Sequence, residues 1–251
     1  MQTKHAIKLV LTDLDGTLVL QETDNISPAV LAALQSARER GLAFAAVTGR
    51  PYAMTKDLLQ KAGFTGPCVF EGGAQIINTT TEEVLWSRTI PVETVRSAAL
   101  QLAKHASIMR YHTEVVQGRD VRAEDIVSET HSIWGNVPVE AGLDLATELA
   151  TLPKVAVHVN AGPGGDFSRM GIQITHHEAD KEHAVRELLQ ILNVDKSLTM
   201  AIGDGDNDLP LFRGASAKVA MGNASDRLKA AADRVVTDVA HDGFAEAINS
   251  I

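Results

Sequence analysis

Three largely apolar runs of the chain lead into polar side chains, and this pattern most restricts the possible fold. The first run, Ile7–Leu11, is followed by Asp13 and Asp15, and the runs Leu42–Val47 and Leu198–Ile202 lead into further hydroxyl and carboxyl groups. Short runs of branched apolar residues are typical of strands buried on both faces, as in a parallel sheet. Since parallel strands end at a common edge, the pattern predicts a sheet that gathers these polar groups along its carboxyl edge.

The segments between the apolar runs carry the start and stop signals of helices. Ser27 and Pro28 provide an N-cap and a proline at the first helical position, and Gly41 ends that segment. Pro51 opens a second helical segment that ends at Gly63. Strands that alternate with helices indicate right-handed crossovers, so we expect an α/β fold with a Rossmann-like parallel sheet core.

The pattern changes between residues 80 and 177, where predicted strands alternate polar and apolar residues. We expect a hairpin about the TTTEE segment, one strand at Ser107–Val116, an irregular stretch at 118–136 and a helix at Val139–Ala150. Half-exposed, alternating strands are typical of an antiparallel sheet. The prediction is therefore an α+β domain at 80–177, inserted into a core formed by 1–79 and 178–251.

Composition narrows the class of protein and its partners. The chain has 251 residues, of which 45% are hydrophobic, a formal net charge of -9 and one cysteine, Cys68. Nucleic acids and membrane surfaces need a concentrated positive field, so neither partner is expected. A single cysteine excludes an intramolecular disulfide and a cysteine-based zinc site. With neither a secretory signal nor a membrane-spanning stretch in the sequence, we expect a cytoplasmic monomer or small homo-oligomer.

Carboxylates gathered at one sheet edge need a cation, because they would otherwise repel one another. Oxygen ligands favour Mg2+ over zinc or copper, and protein-bound Mg2+ often shares its coordination with a substrate phosphate. A phosphate ester is therefore the expected substrate. The DGDNDL segment does not fit a calcium EF-hand, since Leu209 occupies the glycine position and Ala215 that of the final glutamate. The sequence also has no GK[ST] phosphate-binding loop.

Four short motifs follow one another at predicted strand ends and helix starts: DLDGTL at 13–18, VTGR with Thr48, Lys181, and GDGDND at 203–208. In these motifs the chain resembles the haloacid dehalogenase (HAD) superfamily, and more closely its Cof-type, subfamily IIB, sugar-phosphatase-like branch. The segments MGNA at 221–224 and HDGFAEAI at 241–248 are also similar to that branch. The interval between the first two motifs is too short for a cap domain. The resemblance therefore implies a C2B-type cap between the second and third motifs. The family often has Asn-Gly-Ala where this chain has Gly72-Gly73-Ala74.

The resemblance implies Mg2+ as cofactor and catalysis through an aspartyl phosphate. Asp13 would attack phosphorus, while Asp15 would protonate the leaving oxygen and later deprotonate water. The implied metal ligands are Asp13, the backbone carbonyl of Asp15, Asp204 and Asp208, with Asn207 in support. The implied phosphate-binding groups are Thr48, Lys181 and the backbone amides of Leu14, Gly49 and Gly72. Arg50 follows Thr48 closely enough to be a substrate or cap contact.

Other interpretations of the same residues remain open. Thr48 alone would be a strand-end cap, and Lys181 alone a solvated residue of a helix. Basic residues of the insertion could contact a sugar or carboxylate substrate, but by default they are solvated surface: Arg110, His112, Arg119 and Arg122.

A phosphatase acting on a small phosphorylated metabolite, such as a sugar phosphate, is the expected function. The alternatives are a phosphomutase of the same fold and a non-catalytic module that binds a phosphorylated metabolite.

Overall fold

The computed structural model describes residues 7–21, 23–111, 114–117, 120–161 and 168–251. These residues form two compact units: the first runs from the start of the described chain to Trp86 and resumes over Lys181–Ile251, and the second is Ser87–Asp180. Along the sequence, the boundaries between the units lie at 86/87 and 180/181, a few residues after the predicted boundaries at 79/80 and 177/178. At the first boundary the reason is that Leu85 and Trp86, at the end of the predicted hairpin, pack against the core of the first unit.

The first unit begins with the predicted alternation of strands and helices. Ser27 caps the first helix by accepting a hydrogen bond from the Val30 amide, with Pro28 at its first position. Gly63 ends the second helix in a left-handed conformation. In chain order the elements are β1 (Leu9–Thr12), α1 (Pro28–Glu39), β2 (Ala43–Ala46), α2 (Lys56–Ala62), β3 (Pro67–Phe70), β4 (Gln75–Asn78) and β5 (Val84–Ser87).

The second unit is an antiparallel sheet with two helices and its own apolar core. Its elements are α3 (Val92–Ala103), β6 (Ile108–Tyr111), β7 (Glu114–Gln117), β8 (Ser132–Pro138), α4 (Val139–Leu149), β9 (Val155–Ala161) and β10 (Arg169–His176). The sheet order is β7-β6-β8-β10-β9.

Two predictions within the second unit are wrong. The segment predicted as one strand at Ser107–Val116 forms two strands, β6 and β7, which pair antiparallel with Tyr111 opposite Glu114. The stretch predicted to be irregular as far as Asn136 contains most of β8. Gly135 and Asn136 weaken the strand pattern in the sequence, but the Asn136 side chain is held within the sheet by a hydrogen bond from Arg169.

The chain returns to the first unit with α5 (Lys181–Leu192), β11 (Thr199–Gly203), α6 (Leu209–Gly214), β12 (Ala217–Ala220), α7 (Asp226–Ala231), β13 (Arg234–Val235) and α8 (Gly243–Asn249). The sheet of this unit has the order β13-β12-β11-β1-β2, and all of its pairs are parallel. A single bridge between Val47 and Val69 adds β3 beside β2. The predicted α/β class, with a parallel core sheet and an inserted α+β unit, is confirmed.

The central strand β1 is fully buried, with β2 and β11 on either side of it. Thr12 is opposite Ala46 of β2 and Ile202 of β11, so the three strands end at the same level. Leu9, Val10 and Leu11 are each at most 2% exposed and lie in one continuous apolar core. The carboxyl ends of β1, β2 and β11 are therefore held by a rigid centre. Among the described residues, no helix combines the length and the hydrophobicity that a bilayer crossing requires.

Candidate active site

The loops after β1, β2 and β11 leave the sheet side by side. They carry Asp13, Thr48 and Asp204, respectively. The order of the strands in the sheet explains why side chains far apart in the sequence meet at this edge. Such an edge is where open α/β sheets bind their ligands.

A tight turn after β1 brings Gly16 against the loop after β11. The carbonyl of Leu14 accepts hydrogen bonds from the amides of Thr17, Leu18 and Val19, and Gly16 has a φ of 76°. A Cβ atom at Gly16 would lie 2.2 Å from Oδ2 of Asp204. Glycine is thus required both for the left-handed conformation and for the close approach of the Asp204 carboxylate.

Lys181 joins two carboxylates that come from different loops. Its Nζ donates to Oδ1 of Asp13 at 2.9 Å and to Oδ1 of Asp208 at 2.6 Å. The three side chains are 4%, 8% and 0% exposed, respectively. A cation in the first turn of a helix is unfavourable with respect to the helix dipole, and here two buried carboxylates offset that cost.

Asp208 and Asp204 are fixed by further hydrogen bonds. Oδ2 of Asp208 accepts from the amides of Asp204 and Gly205, both at 3.0 Å. Oδ1 of Asp204 accepts from the Thr17 hydroxyl at 2.8 Å. Asp208 therefore holds both Lys181 and the loop after β11, while Thr17 ties Asp204 to the turn after β1.

Asp13, Asp204 and Asp208 form a group that can hold a metal ion. One oxygen from each carboxylate lies within 4.8 Å of the others. Together with Lys181, these residues are called the Lys181 cluster below. Its ligand atoms are all carboxylate oxygens, which is the donor set preferred by Mg2+.

The Lys181 cluster carries more negative than positive charge, and the pKa values reflect this. Burial is the main cause that raises the pKa of Asp13 to about 7, against the opposing attraction of Lys181. Burial, with repulsion from Asp208 and Asp13, raises the pKa of Asp204 to about 8. The pKa of Lys181 is raised because the attraction of Asp13 and Asp208 outweighs the effect of its own burial. One ammonium group does not balance three carboxylates, so the donor set and its charge fit a divalent cation.

Asp15 lies two residues after Asp13 but pairs with an arginine and not with Lys181. Its carboxylate accepts two hydrogen bonds from Arg50, at 2.7 Å from Nε and 2.5 Å from Nη2. Arg50 also donates to Oδ1 of Asp24 at 2.8 Å and to the Thr23 carbonyl at 3.2 Å. These contacts of Arg50 with Asp15, Thr23 and Asp24 are called the Arg50 clamp below. The pKa of Arg50 is raised because these ion pairs outweigh the effect of burial.

Thr48 is buried and fixed at the end of β2. Its hydroxyl oxygen accepts a hydrogen bond from the Arg50 amide at 3.1 Å, and a hydroxyl that accepts in this way can still donate its proton to another group. Gly49 lies between these two residues, in the bend after β2. Leu14 is fully buried, and its carbonyl accepts the hydrogen bonds of the turn after β1.

The Gly72 amide does not fit the expected phosphate-binding role. It donates to the Thr48 carbonyl at 2.9 Å, while the Glu71 amide donates to the Arg50 carbonyl at 3.1 Å. The loop after β3 therefore supports the loop after β2. Gly72 has a φ of 72°, a conformation that glycine adopts most readily and asparagine tolerates. This shared tolerance explains why glycine can stand where the family often has asparagine.

The predicted supporting residue Asn207 lies in the loop after β11, close to Gly205. Its side chain folds back over the loop, since a Cβ at Gly205 would lie 2.1 Å from Asn207 Oδ1. The neighbouring Asp206 is exposed and pairs with Arg227 at 3.0 Å and with the Ser225 hydroxyl. Both side chains thus shape the loop after β11.

Three residues of the site carried no individual role in the sequence analysis: Thr17, Asn223 and Asp24. Asn223 donates from Nδ2 to the Gly16 carbonyl at 2.9 Å and to Oδ2 of Asp204 at 3.4 Å. Its Oδ1 accepts from the Val239 amide. Thr17 and Asn223 lie in segments that resemble the family, DLDGTL and MGNA, so their motifs were a usable signal. Asp24 lies in an irregular stretch with no such signal.

The basic residues of the insertion lie in different environments. Arg110 lies over the ring of Trp134, with Cζ 5.9 Å from the ring centroid. Arg122 is exposed, as expected for surface. His112 and Arg119 lie outside the described residues.

The sequence matches a protein-family model over most of its length. The model for haloacid dehalogenase-like hydrolases matches residues 10–136 and 164–248, which together are most of the chain. The chain belongs to the haloacid dehalogenase-like hydrolases. The matched residues include the loops that supply Asp13, Thr48, Lys181 and Asp204, so the family assignment covers the site described above.

Two proteins named as phosphatases and one solved structure are similar to this chain over most of its length. A phosphoglycolate phosphatase of Methanopyrus kandleri is 25% identical over 237 residues, which is 94% of each protein. A phosphoglycolate phosphatase of Metallosphaera sedula is 29% identical over 226 residues, which is 89% of each protein. The solved structure of a sugar phosphatase of HAD subclass IIB has 25% identity and a TM-score of 0.78, covering 97% of this chain and 98% of that one.

These similarities confirm the predicted Cof-type, subclass IIB branch of the HAD hydrolases. They also confirm the prediction of an enzyme of the HAD phosphatase class.

Proposed function

We propose that this HAD enzyme is a Mg2+-dependent phosphatase that hydrolyses a small phosphorylated metabolite through an aspartyl phosphate. The observation that carries the proposal is the Lys181 cluster, in which one buried lysine holds Asp13 beside Asp204 and Asp208. The cluster provides a nucleophile, a cation and a carboxylate metal site at one sheet edge. Mg2+ is the metal that fits oxygen donors and a phosphate substrate.

Asp204 and Asp13 are the proposed side-chain ligands of Mg2+, together with the backbone carbonyl of Asp15. Asp208 already accepts bonds from Lys181 and from two amides. It therefore acts chiefly by orienting Lys181 and the metal-binding loop, with remaining lone pairs available to the metal or its waters. When bound, Mg2+ would neutralise phosphate charge and draw the substrate toward Asp13.

Asp13 is the proposed nucleophile. Lys181 holds Oδ1, which leaves Oδ2 as the attacking oxygen. A bond forms from this oxygen to phosphorus while the bond from phosphorus to the ester oxygen breaks. Lys181, the Thr48 hydroxyl and the amides of Leu14 and Gly49 would bind the phosphoryl oxygens and stabilise the charge of the transition state.

Asp15 is the proposed acid and base. It would give a proton to the departing ester oxygen and then take one from the water that attacks the aspartyl phosphate. Attack by water releases inorganic phosphate and restores Asp13. Two separate carboxylates suit this division of roles because a nucleophile bonded to phosphorus cannot also transfer the proton.

The substrate class is proposed from the relatives and from the subclass. Two relatives are phosphoglycolate phosphatases, and a structural neighbour is a sugar phosphatase. All three names describe small phosphorylated metabolites, and we propose that a sugar phosphate is the substrate here. The cytoplasmic location and the monomeric or small homo-oligomeric state also stay predictions.

Hydrolysis of p-nitrophenyl phosphate by the purified chain tests this function. We expect EDTA to abolish the release of p-nitrophenol and added Mg2+ to restore it. Turnover that persists in EDTA would refute the metal site. The same enzyme is then assayed against a panel of sugar phosphates and 2-phosphoglycolate, with inorganic phosphate as the product measured. Release of phosphate without an added bisphosphate would exclude a phosphomutase.

A further inference from the structure

Arg50 connects three segments of the first unit through one guanidinium group. Its Nε and Nη2 form a two-pronged contact with the Asp15 carboxylate at 2.7 and 2.5 Å. On its other side, Nη1 donates to Asp24 at 2.8 Å and Nη2 to the Thr23 carbonyl at 3.2 Å. Planar, two-pronged contacts of this kind fix the orientation of both partners, which a lysine cannot do.

The backbone of Arg50 is held as firmly as its side chain. Its amide donates to the Thr48 hydroxyl, and its carbonyl accepts from the Glu71 amide, both at 3.1 Å. The Arg50 side chain is only 15% exposed, and Asp15 is 29% exposed. The guanidinium therefore stays in one place, with most of its donors directed at groups of this chain rather than at a ligand.

We infer that Arg50 is a positioning residue for Asp15, and that Asp24 holds Arg50 in place. This inference rests on the proposed function, because it concerns the proton transfers assigned to Asp15. A carboxyl group on a turn can rotate, and proton transfer requires it to lie close to the ester oxygen. The Arg50 clamp removes this freedom. It replaces the substrate or cap contact expected for Arg50 from the sequence.

Arg50 could either position Asp15 or bind the phosphate of the substrate, and substrates with different leaving groups distinguish these two roles. The p-nitrophenolate ion departs readily without a proton, whereas the alkoxide of an alkyl phosphate needs one from Asp15. The ratio kcat/KM reports only the steps up to departure of the leaving group. A misplaced Asp15 therefore lowers kcat/KM for an alkyl phosphate much more than for p-nitrophenyl phosphate. Loss of a phosphate-binding arginine lowers both alike.

The test uses Arg50→Lys, which keeps the charge but not the planar fork, and Asp24→Asn, which weakens the anchor. The alkyl substrate is the best one from the metabolite panel. For Arg50→Lys we expect kcat/KM to fall about 100-fold with the alkyl phosphate and less than about tenfold with p-nitrophenyl phosphate. We expect Asp24→Asn to lower kcat/KM with both substrates as well, by about tenfold with the alkyl phosphate.

Arg40→Lys is the matched control. Arg40 is another arginine of the first unit, and it donates to backbone carbonyls at the C-terminus, Ile248 and Ile251. We expect it to leave both kcat/KM values unchanged. Thermal unfolding verifies that each variant is folded. Should Arg50→Lys not fold, the exposed Asp24 provides the test by itself.

An equal fall on both substrates would assign Arg50 to phosphate binding and overturn the inference. Unchanged kcat/KM values in Arg50→Lys would overturn the inference too, and so would a higher kcat/KM with the alkyl phosphate. If only Asp24→Asn folds, unchanged kcat/KM values in that variant would overturn it. These results differ from a failure of the proposed function, which would show in the wild-type enzyme. A wild type without Mg2+-dependent phosphatase activity would refute the proposed function before any variant is compared.

Discussion

The Lys181 cluster and the Arg50 clamp lie on the same turn after β1, since Asp13 belongs to one and Asp15 to the other. In the cluster, the side chains of Lys181, Asp13 and Asp208 are at most 8% exposed. In the clamp, Asp15 and Asp24 are 29% and 57% exposed. Water screens the clamp but hardly reaches the cluster. The same type of ion pair therefore has a larger energetic effect in the cluster.

The two cations also suit different tasks. Lysine is a compact point charge that can face two carboxylates and a phosphoryl oxygen at once. Arginine presents a flat fork that fixes one carboxylate in direction. One turn, Asp13-Leu14-Asp15, therefore provides one carboxylate that pairs with a buried lysine and another whose direction an arginine fixes. A single spacer residue is enough because the side chains face different partners.

The largest expected effect comes from changing each of these aspartates to asparagine. Asp13→Asn removes the attacking oxygen's charge, so we expect kcat to fall by about 1,000-fold or more with every substrate. Asp15→Asn removes the proposed proton transfer but leaves the proposed nucleophile, so we expect a fall of about 100-fold with alkyl phosphates and a smaller one with p-nitrophenyl phosphate. Steady-state phosphate release measures both.

Circular dichroism and thermal unfolding serve as the control for these two variants, since both should be folded. A folded and active Asp13→Asn protein would show that the nucleophile is misassigned. If Asp15→Asn were as inactive as Asp13→Asn with p-nitrophenyl phosphate, the proposed division of labour on this turn would be wrong.

The second prediction compares how much the free energy of unfolding falls when each of the two cations is removed, in EDTA at neutral pH. Lys181→Met leaves two buried carboxylates without their cation, so we expect the free energy of unfolding to fall by about 3–5 kcal/mol. Arg50→Met leaves partly solvated carboxylates, and we expect a fall of about 1 kcal/mol. Urea unfolding followed by circular dichroism measures both.

Lys56→Met is the control for removing a lysine. Lys56 pairs with Glu82, and both side chains are about half exposed, so no measurable change is expected. Equal losses in Lys181→Met and Arg50→Met would show that burial does not distinguish the cluster from the clamp.

The sequence allowed the cluster to be predicted better than the clamp. Asp13, Asp204 and Lys181 follow buried strands or begin a helix, and the order of parallel strands determines that such positions converge. The structure places them within contact of one another. Their motifs also resemble those of a family with a known arrangement. Both kinds of signal depend on regular structure.

The clamp could not be predicted because its anchor lies in irregular structure. Nothing in the segment around Asp24 indicates that it returns to the arginine after β2, since no hydrophobic period or turn signal sets its path. Asn223 illustrates an intermediate case: its motif was noticed, but only the folded chain shows that it links the Gly16 carbonyl to Asp204. The missed strand β8 has the same cause, because Gly135 and Asn136 interrupt its pattern.

The last expected effect is a pH dependence of the free energy of unfolding that belongs to the cluster and not to the clamp. Without metal, the folded protein has pKa values of about 7 for Asp13 and about 8 for Asp204, whereas an unfolded aspartate has its ordinary value of 3.8. Between these values the folded chain binds more protons than the unfolded chain. Its free energy of unfolding must therefore fall as pH rises, and the fall ends above about pH 8.

We expect the free energy of unfolding to fall between pH 5 and 8 in EDTA, which thermal unfolding detects as a lower Tm. Saturating Mg2+ should reduce the fall, because the ion binds the carboxylates in their ionised form and adds stability as they ionise. Asp204→Asn removes one titrating group and should make the dependence on pH shallower, whereas Asp24→Asn should not alter it. A metal-free protein whose Tm rises over this range would mean that the pKa values of Asp13 and Asp204 are not raised in the folded chain. A fall that Asp24→Asn abolished would move its origin to the clamp.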